Sequence, residues 1–254
     1  MEITDKKFWN EFWSEVEIPQ TVNFNFKNDR IISDVIKAYI PKANKEKRAI
    51  EIGCAPGKWL VFFNKYMGYL VDGVEYIEAA VEKTICNMKM NNVPEDQFNI
   101  YMTDFLKWDV KNEYDVVFSL GFIEHFKDYD RVMDSHLKLL NKNGYLIIGV
   151  PRFRGINYFL QKIIETFSNV RFLDNHNLNV MDISLYKQFG NSRKIQNIYI
   201  GYVGGFEPGL FPTNKINNNF IRFFVKALNR LLSILFGKIN SKFTSSYLLS
   251  IYKC

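Results

Sequence analysis

Five short, continuously apolar segments alternate with helical segments up to Pro151, and this alternation constrains the fold of the chain most. Strands that are apolar on both faces are typical of a parallel sheet covered by helices on both sides. Right-handed crossovers between such strands give a doubly wound α/β fold, in which ligands bind at the carboxyl ends of the strands. The five predicted strands are 48–54, 69–75, 98–102, 114–120 and 145–151.

The rest of the chain adds helices and two more strands to this plan. Three regions are expected, namely an aromatic, helical cap (1–45), an α/β core (46–205), and a helical insertion with a closing strand (206–254). The predicted helices are 27–40, 58–66, 77–92, 129–144 and 155–167, and the two further strands are 195–206 and 246–254.

The segment 219–239 is apolar apart from a narrow stripe that includes Arg222, Lys226 and Arg230. These charges interrupt it too often for a membrane-spanning helix, which needs about 20 mainly apolar residues. Either it packs against the sheet or a second copy of the chain, or it lies on a membrane surface. Because a strand that must rejoin the sheet follows it, burial or oligomerisation is favoured.

The composition bounds the function only loosely. The net charge of +6 comes without a long basic run, so it permits an anionic partner without indicating nucleic acid. Cys54, Cys86 and Cys254 have no paired spacing, and their odd count indicates a reducing compartment. The first residues lack the basic start and apolar stretch of a signal peptide, so a cytoplasmic location is expected.

The stretch "AIEIGCAPGKWLVFF" (49–63) runs from a strand through a turn of small residues into a helix, so a ligand is expected to approach bare backbone there. It is not a phosphate-binding loop, because Gly53 and Gly57 are one residue too close and Trp59 stands where a hydroxyl is needed. It matches the dinucleotide fingerprint only weakly, because the third glycine is missing.

S-adenosylmethionine is the third candidate ligand, since it carries a carboxylate and an adenosine but no phosphate. It requires close backbone approach at Gly53 and Gly57 and a helix N-terminus for its carboxylate. Glu75, at the end of the second predicted strand, is placed to bind both ribose hydroxyls. Asp104, after the third strand, is placed to accept from the adenine amino group while Phe105 borders the ring.

Several motifs resemble, in order and spacing, those of Rossmann-like class I S-adenosylmethionine-dependent methyltransferases. The resemblance covers roughly residues 28–152 and is nearest to the small-molecule and quinone-biosynthesis O-methyltransferase branch. It implies a seven-stranded sheet, mainly parallel, whose antiparallel last strand lies between strands five and six, with S-adenosylhomocysteine as the product. The motifs are "EIGCAPG", "GVEYIEAAVE", "TDF", "YDVVFSLGFIEHF" and "LLNKNGYLIIGVP".

The resemblance also implies a set of cofactor contacts. Residues of the first turn would hold the methionine part, the end of the second strand the ribose, and the next two strand ends the adenine and the sulfonium. The predicted cofactor residues are Glu51, Gly53, Cys54, Gly57, Glu75, Tyr76, Asp104, Phe105, Leu120 and Gly121.

Glu124 and His125 follow the fourth strand and are the predicted catalytic residues. A hydroxyl acceptor must lose a proton, and a histidine near the methyl group is the usual helper. His125 is therefore expected to act as the base or to orient the acceptor, although it could instead only bond to the backbone. Some relatives bind a metal through this pair and a carboxylate three residues before the Glu. That position is Gly121 here, so a metal is not expected.

The segment 152–190, within the core, is expected on the acceptor side of the site. Its arginines, which follow the fifth strand, suggest the chemistry of the acceptor. Because their guanidinium groups suit carboxylates and phosphates, the acceptor is expected to be small and polar or anionic, for example a nucleotide-linked sugar or a phosphorylated metabolite. These arginines could equally belong to a solvated loop. The predicted substrate residues are Arg152, Arg154, Asn157, Tyr158 and His176.

Two alternative functions stay open. One is methylation of RNA or protein, although the segment after the fourth strand lacks the prolines that typically clamp a flipped base. The other is a non-catalytic partner subunit that keeps the cofactor. The aromatic residues Phe8, Trp9, Phe12 and Trp13 lie at helical spacing and are expected to form a helix packed over the cofactor mouth.

Overall fold

A computed structural model describes residues 2–108, 114–169 and 171–254. They form one seven-stranded sheet with the order β3-β2-β1-β4-β5-β7-β6, in which β7 is antiparallel to both β5 and β6. This arrangement confirms the predicted fold class. The strands are β1 (Arg48–Ile52), β2 (Leu70–Glu75), β3 (Phe98–Met102), β4 (Tyr114–Leu120), β5 (Leu140–Pro151), β6 (Gln196–Val203) and β7 (Tyr247–Lys253).

Helices cover both faces of the sheet, and alternate residues of the strands supply two cores. In β1, Ala49 belongs to one apolar cluster and Ile50 to the other. The helices are α1 (Lys6–Ser14), α2 (Lys27–Tyr39), α3 (Lys58–Lys65), α4 (Glu78–Met90), α5 (Tyr129–Leu137), α6 (Ile156–Thr166), α7 (Ile183–Arg193) and α8 (Asn219–Phe236).

The boundary between α5 and β5 differs from the prediction. The helix predicted at 129–144 ends at Leu137, and β5 already begins at Leu140. Leu140 pairs with Tyr114 of β4, so tertiary strand pairing overrides the local helical pattern there. Helix α7 lies in the segment that was expected only as an acceptor-side region, and its polar sequence gave no clear apolar period.

Of the two outcomes favoured for 219–239, burial or oligomerisation, the first is wrong, because the helix in this segment is largely exposed. Only Val225 and Asn229 of α8 are buried, whereas Phe220 and Ile234 are 71% and 74% exposed. No helix within the described residues has both the length and the apolarity needed to cross a bilayer.

Candidate functional site

The carboxyl ends of the central strands face α1 across a cavity of about 280 Å³. The cavity lies where ligands bind in sheets of this kind. Glu124 and His125 line it, as does His176 from the predicted acceptor side. The predicted cofactor residues that line it are Gly53, Glu75, Tyr76, Asp104, Phe105, Leu120 and Gly121.

The turn after β1 brings bare backbone to the cavity. Gly53 has φ +69° and Gly57 has φ +88°, values that side-chain-bearing residues rarely adopt. A Cβ at Gly53 would lie 2.5 Å from Cδ2 of Phe122, so a larger residue cannot occupy this position without displacing that ring. Gly57 precedes the first residue of α3, whose N-terminal amides begin here.

Glu75 is fixed at the cavity wall by the backbone that follows it. Its Oε1 accepts hydrogen bonds from the amides of Tyr76 (2.7 Å) and Ile77 (3.0 Å). Burial raises the pKa of this carboxyl, and the two amide bonds oppose that effect. The amide of Thr103 donates to the Glu75 carbonyl at 3.0 Å, which holds the following Asp104 next to Glu75.

Asp104 also stabilises its own turn. Its Oδ1 accepts from the amide of Leu106 at 3.1 Å, and its Oδ2 pairs with Lys107 at 3.0 Å. Glu2, which the sequence did not suggest as a site residue, lines the same wall and accepts from the Tyr76 hydroxyl at 3.4 Å. Burial, and then the nearby Asp104, raise the pKa of Glu2.

Three of the predicted cofactor residues do not line the cavity in the described structure: Glu51, Cys54 and Gly57. The Oε2 of Glu51 is buried and has no hydrogen-bond partner among the described residues. Burial raises the pKa of Glu51 well above its ordinary value, although Lys58 opposes the effect. The unpartnered Oε2, two residues before Gly53, is a polar atom that a ligand's amino group could satisfy.

Glu124, His125 and His176 meet on the side of the cavity that the sequence predicted to face the acceptor. Oε1 of Glu124 lies 3.8 Å from Nε2 of His125. The Nδ1–H of His125 donates to the Asn175 carbonyl (2.9 Å), and that of His176 donates to the Phe172 carbonyl (2.8 Å). These bonds leave the Nε2 of each neutral ring as a hydrogen-bond acceptor.

The environment of this cluster shifts its proton affinities strongly. Burial raises the pKa of Glu124 to about 8. Burial, and then the neighbouring His176, lower the pKa of His125 to about 3, and burial also lowers the pKa of His176. At neutral pH both rings are therefore uncharged, and Glu124 is the group that titrates near the working pH.

One donor atom each from Glu124, His125 and His176 lie within 4.8 Å of one another, so this is the donor set that a metal ion could use. Two ligand atoms bound to the same ion at about 2.1 Å lie only about 3–3.5 Å apart. The cluster would have to contract to bind an ion.

Helix α1 covers this side of the cavity with aromatic rings, and Phe8, Trp9, Phe12 and Trp13 all line it. The amide of Ile3 donates to the His125 carbonyl at 2.8 Å, which ties the chain before α1 to the loop after β4. Sequence reasoning missed three further aromatic lining residues: Phe122, Phe126 and Phe172. Phe122 and Phe126 flank the Glu-His pair in the sequence, and this was the only indication in the sequence that they belong to the site.

The predicted acceptor residues after β5 do not reach the cavity. Arg152 is 2% exposed, and its guanidinium donates to the main-chain carbonyls of Met181 (3.1 Å), Arg154 (3.4 Å) and Lys242. It therefore holds three chain segments together, and it does not line the cavity. The expectation that Arg152 binds an anionic acceptor is not supported by this geometry.

Its neighbours are also engaged elsewhere. Arg154 lies 3.7 Å from Asp182, and the buried Asn157 donates to the carbonyls of Arg152 and Ser245. Tyr158 contacts Lys162 on α6, and neither it nor the other two lines the cavity. His176 is the one member of the predicted substrate group that the structure places in the cavity wall.

Residues 24–189 match the family model described as a methyltransferase domain. No curated protein matches the chain.

Several solved structures share the fold at low sequence identity. The MccD protein aligns with 87% of this chain and 95% of its own, with a TM-score of 0.59 and 15% identity. A second structure is a geranyl diphosphate C-methyltransferase from Streptomyces coelicolor A3(2), crystallised with Mg²⁺, geranyl diphosphate and S-adenosyl-L-homocysteine. It aligns with 87% of this chain and 79% of its own, with a TM-score of 0.57 and 12% identity.

A phosphoethanolamine N-methyltransferase 2 from Haemonchus contortus, in complex with S-adenosyl-L-methionine, gives a TM-score of 0.62 at 13% identity. The alignment covers 98% of this chain and 57% of that one. At these identities the similarity concerns the fold alone.

Proposed function

The chain belongs to the methyltransferase domain family as a class I S-adenosylmethionine-dependent enzyme, and we propose that it methylates a hydroxyl oxygen of a small, largely apolar acceptor. The observation that carries this proposal is the buried Glu124–His125 pair, which lies within an aromatic cavity wall. Solved structures with this fold include a C- and an N-methyltransferase, so the choice of oxygen rests on this pair and not on the fold.

The residues of the cavity suit a cationic cofactor. Among the described lining residues there are four acids, Glu2, Glu75, Asp104 and Glu124, and no Lys or Arg. Such a wall attracts a ligand that carries a sulfonium and an ammonium group and has no phosphate. The unsatisfied Oε2 of Glu51 behind the wall is a further acceptor for an ammonium group.

We assign the cofactor residues accordingly. Gly53 admits the methionine part, Glu75 accepts from the ribose hydroxyls, and Asp104 accepts from the adenine amino group. Phe105, Leu120 and Gly121 complete the wall. When bound, S-adenosylmethionine supplies an electrophilic methyl carbon, and the protein has to align the acceptor oxygen with it.

Glu124 and His125 then handle the proton of the acceptor. The His125 Nε2, which carries no proton, accepts a hydrogen bond from the acceptor hydroxyl and orients it. As the acceptor oxygen is methylated, this proton passes to Nε2 and from there to the Glu124 carboxylate, whose Oε1 lies 3.8 Å from Nε2 and whose pKa of about 8 makes it the stronger base of the two. The aromatic rings around the pair keep water away and hold the apolar part of the acceptor.

An anionic acceptor loses its support in this arrangement. The arginines that suggested it bond to main-chain carbonyls or to Asp182. Among the described lining residues there is no Lys or Arg, and the carboxylates of Glu75 and Asp104 would repel a phosphate. The same repulsion disfavours RNA as the acceptor. The acid-rich, aromatic wall also suits an apolar amine, which makes N-methylation the second candidate.

The test is a screen in which the purified chain is incubated with S-adenosylmethionine and the release of S-adenosylhomocysteine is measured. The acceptors are hydrophobic phenols and alcohols, apolar amines, nucleotide-sugars and phosphorylated metabolites. Turnover with hydroxyl compounds supports the proposal, turnover with amines supports the second candidate, and turnover only with phosphorylated compounds overturns both.

The variants Glu124→Gln and His125→Gln address the mechanism with the acceptor that the screen identifies. Each should lose more than tenfold in kcat, which corresponds to about 1.4 kcal/mol of barrier. Cofactor binding, measured by calorimetry with S-adenosylhomocysteine, should stay within a factor of a few. A smaller loss in His125→Gln would mean that this histidine only supports the backbone of its loop.

A further inference from the structure

Helix α8 exposes one wide apolar face. Its buried residues, Val225 and Asn229, lie on the opposite side of the helix and fix its orientation. The Nδ2 of Asn229 donates to the Pro208 carbonyl at 3.3 Å, and Val225 packs in a small apolar cluster with Leu160 and Ile164 of α6. The outward face, spaced at three and four residues, contains Phe220, Phe223, Phe224, Leu231, Ile234 and Leu235.

Helix α6 extends this face. The amide of Asn217 donates to the Phe167 carbonyl at 3.1 Å, which places the start of α8 beside the end of α6. The amide of Ile156 donates to the carbonyl of Phe243, so the segment after α8 returns to the start of α6. The two helices are thus antiparallel neighbours. Phe159 on α6 and Phe243 after α8 are 69% and 62% exposed, so exposed rings in this part of the chain are not confined to α8.

The charge of this part of the chain is one-sided. Seven Lys and Arg residues and no Asp or Glu follow Glu207, so this segment accounts for the positive net charge of the whole chain. Lys226 and Arg230 border the outward face of α8, and Lys238 and Lys242 follow the helix. All four are exposed, and none of them forms an ion pair among the described residues.

We propose that the outward face of α8, together with Phe159 and Phe243 (the α6–α8 face), docks on the surface of an anionic lipid bilayer. A large apolar stripe flanked by basic residues is what lets a helix lie in the headgroup region, with its rings in the acyl boundary. Exposed basic residues add attraction to anionic lipids. A spanning arrangement is not compatible with α8, whose 18 residues include Arg222, Lys226 and Arg230.

A second copy of the chain fits this surface less well. In a two-fold pairing the same patch meets itself, so each basic stripe would face its own copy without any acidic residue of 208–254 to balance it. Like charges brought together across an interface oppose association, whereas an anionic bilayer complements both the rings and the charges.

Vesicle flotation tests this proposal with the full chain. Vesicles of phosphatidylcholine with about one third phosphatidylglycerol should bind the protein, and pure phosphatidylcholine should bind it at least tenfold less. Binding should fall as salt is raised. The triple variant F223Q/L231Q/I234Q should lose at least tenfold in binding, and K226Q/R230Q should lose severalfold on the anionic vesicles alone.

Two controls keep the outcome unambiguous. Met90→Gln changes an exposed apolar residue on α4, outside this face, and should bind as the wild type does. Circular dichroism spectra identify variants that fail to fold. A chain that ignores anionic vesicles but forms dimers in sedimentation, with dimers lost in F223Q/L231Q/I234Q, would show a protein interface and overturn the proposal. A chain that neither binds vesicles nor dimerises would overturn it as well.

Discussion

The indole of Trp9 stands edge-on to the imidazole of His125, with ring centroids 4.8 Å apart. This contact joins the N-terminal helix to the residue that we assign to the acceptor. The chain before α1 supports this contact, since the amide of Ile3 donates to the His125 carbonyl and the backbone of Glu2 forms an isolated antiparallel β-bridge with Phe126. The N-terminal segment therefore completes the acceptor side of the cavity.

Replacing Trp9 by alanine should weaken acceptor binding. The change removes a ring from the cavity wall and the edge contact with His125, so we expect the acceptor KM to rise about tenfold. Cofactor affinity should change little, because Glu75 and Asp104 are untouched. Steady-state kinetics with both substrates measure this. Phe26→Ala, which removes an exposed ring away from the cavity, is the control and should leave both constants unchanged.

Glu75 should carry much of the cofactor affinity. The Glu75→Gln change keeps the shape of the side chain but removes the charge that we assign to the two ribose hydroxyls, and charge-assisted hydrogen bonds are the strong ones. We expect the Kd for S-adenosylhomocysteine to rise at least tenfold in isothermal titration calorimetry. Glu78→Gln, on the exposed side of α4, should leave the Kd unchanged. Equal affinities of Glu75→Gln and the wild type would contradict the assigned cofactor position.

The rate of methyl transfer should follow the ionisation of Glu124. With a pKa of about 8, the carboxylate form is a minor species at pH 7 and dominates at pH 9, so kcat/KM should rise about tenfold over this range. Stopped assays of product formation across pH 6 to 9.5 measure the profile. In Glu124→Gln the activity should be low and flat with pH. A wild-type profile without this rise would assign the proton to another group.

The sequence predicted the parts of the site that depend on local pattern. Gly53 and Gly57 adopt the left-handed conformations that their turn requires. Glu75 ends one strand that the apolar pattern identified, and Asp104 follows another. These positions could be predicted because neighbouring residues along the chain determine them. The antiparallel position of β7 was implied by the family resemblance and is confirmed.

Contacts between distant segments could not be predicted in this way. Arg152 bonds to a carbonyl 90 residues further along the chain, and no local pattern distinguishes that contact from one to an anionic substrate. Apolar composition likewise did not reveal that α8 turns most of its rings outward, because an amphipathic helix has the same period on a core and on a surface.

The contribution of the buried Glu124 to the free energy of unfolding should fall with rising pH. Its pKa is raised from 4.5 to about 8 in the folded state, so this carboxyl contributes stability below pH 4.5 that is lost as pH rises to about 8. The shift corresponds to up to about 5 kcal/mol. In urea unfolding, the free energy of unfolding of Glu124→Gln should therefore increase relative to that of the wild type between pH 5 and 8. Glu78→Gln should follow the wild type, and parallel curves for Glu124→Gln would disprove the raised pKa.

Removal of divalent metal should leave methyl transfer intact. The donor atoms of Glu124, His125 and His176 spread over up to 4.8 Å, which exceeds the separation of ligand atoms on one ion, and the roles assigned above need no ion. Dialysis against EDTA should therefore preserve kcat, and His176→Gln should lose much less activity than His125→Gln. The cluster would be a metal site if EDTA abolished turnover, Zn²⁺ or Mg²⁺ restored it, and Glu124→Gln, His125→Gln and His176→Gln were equally impaired. Glu124 would then act as a ligand and could no longer be the base.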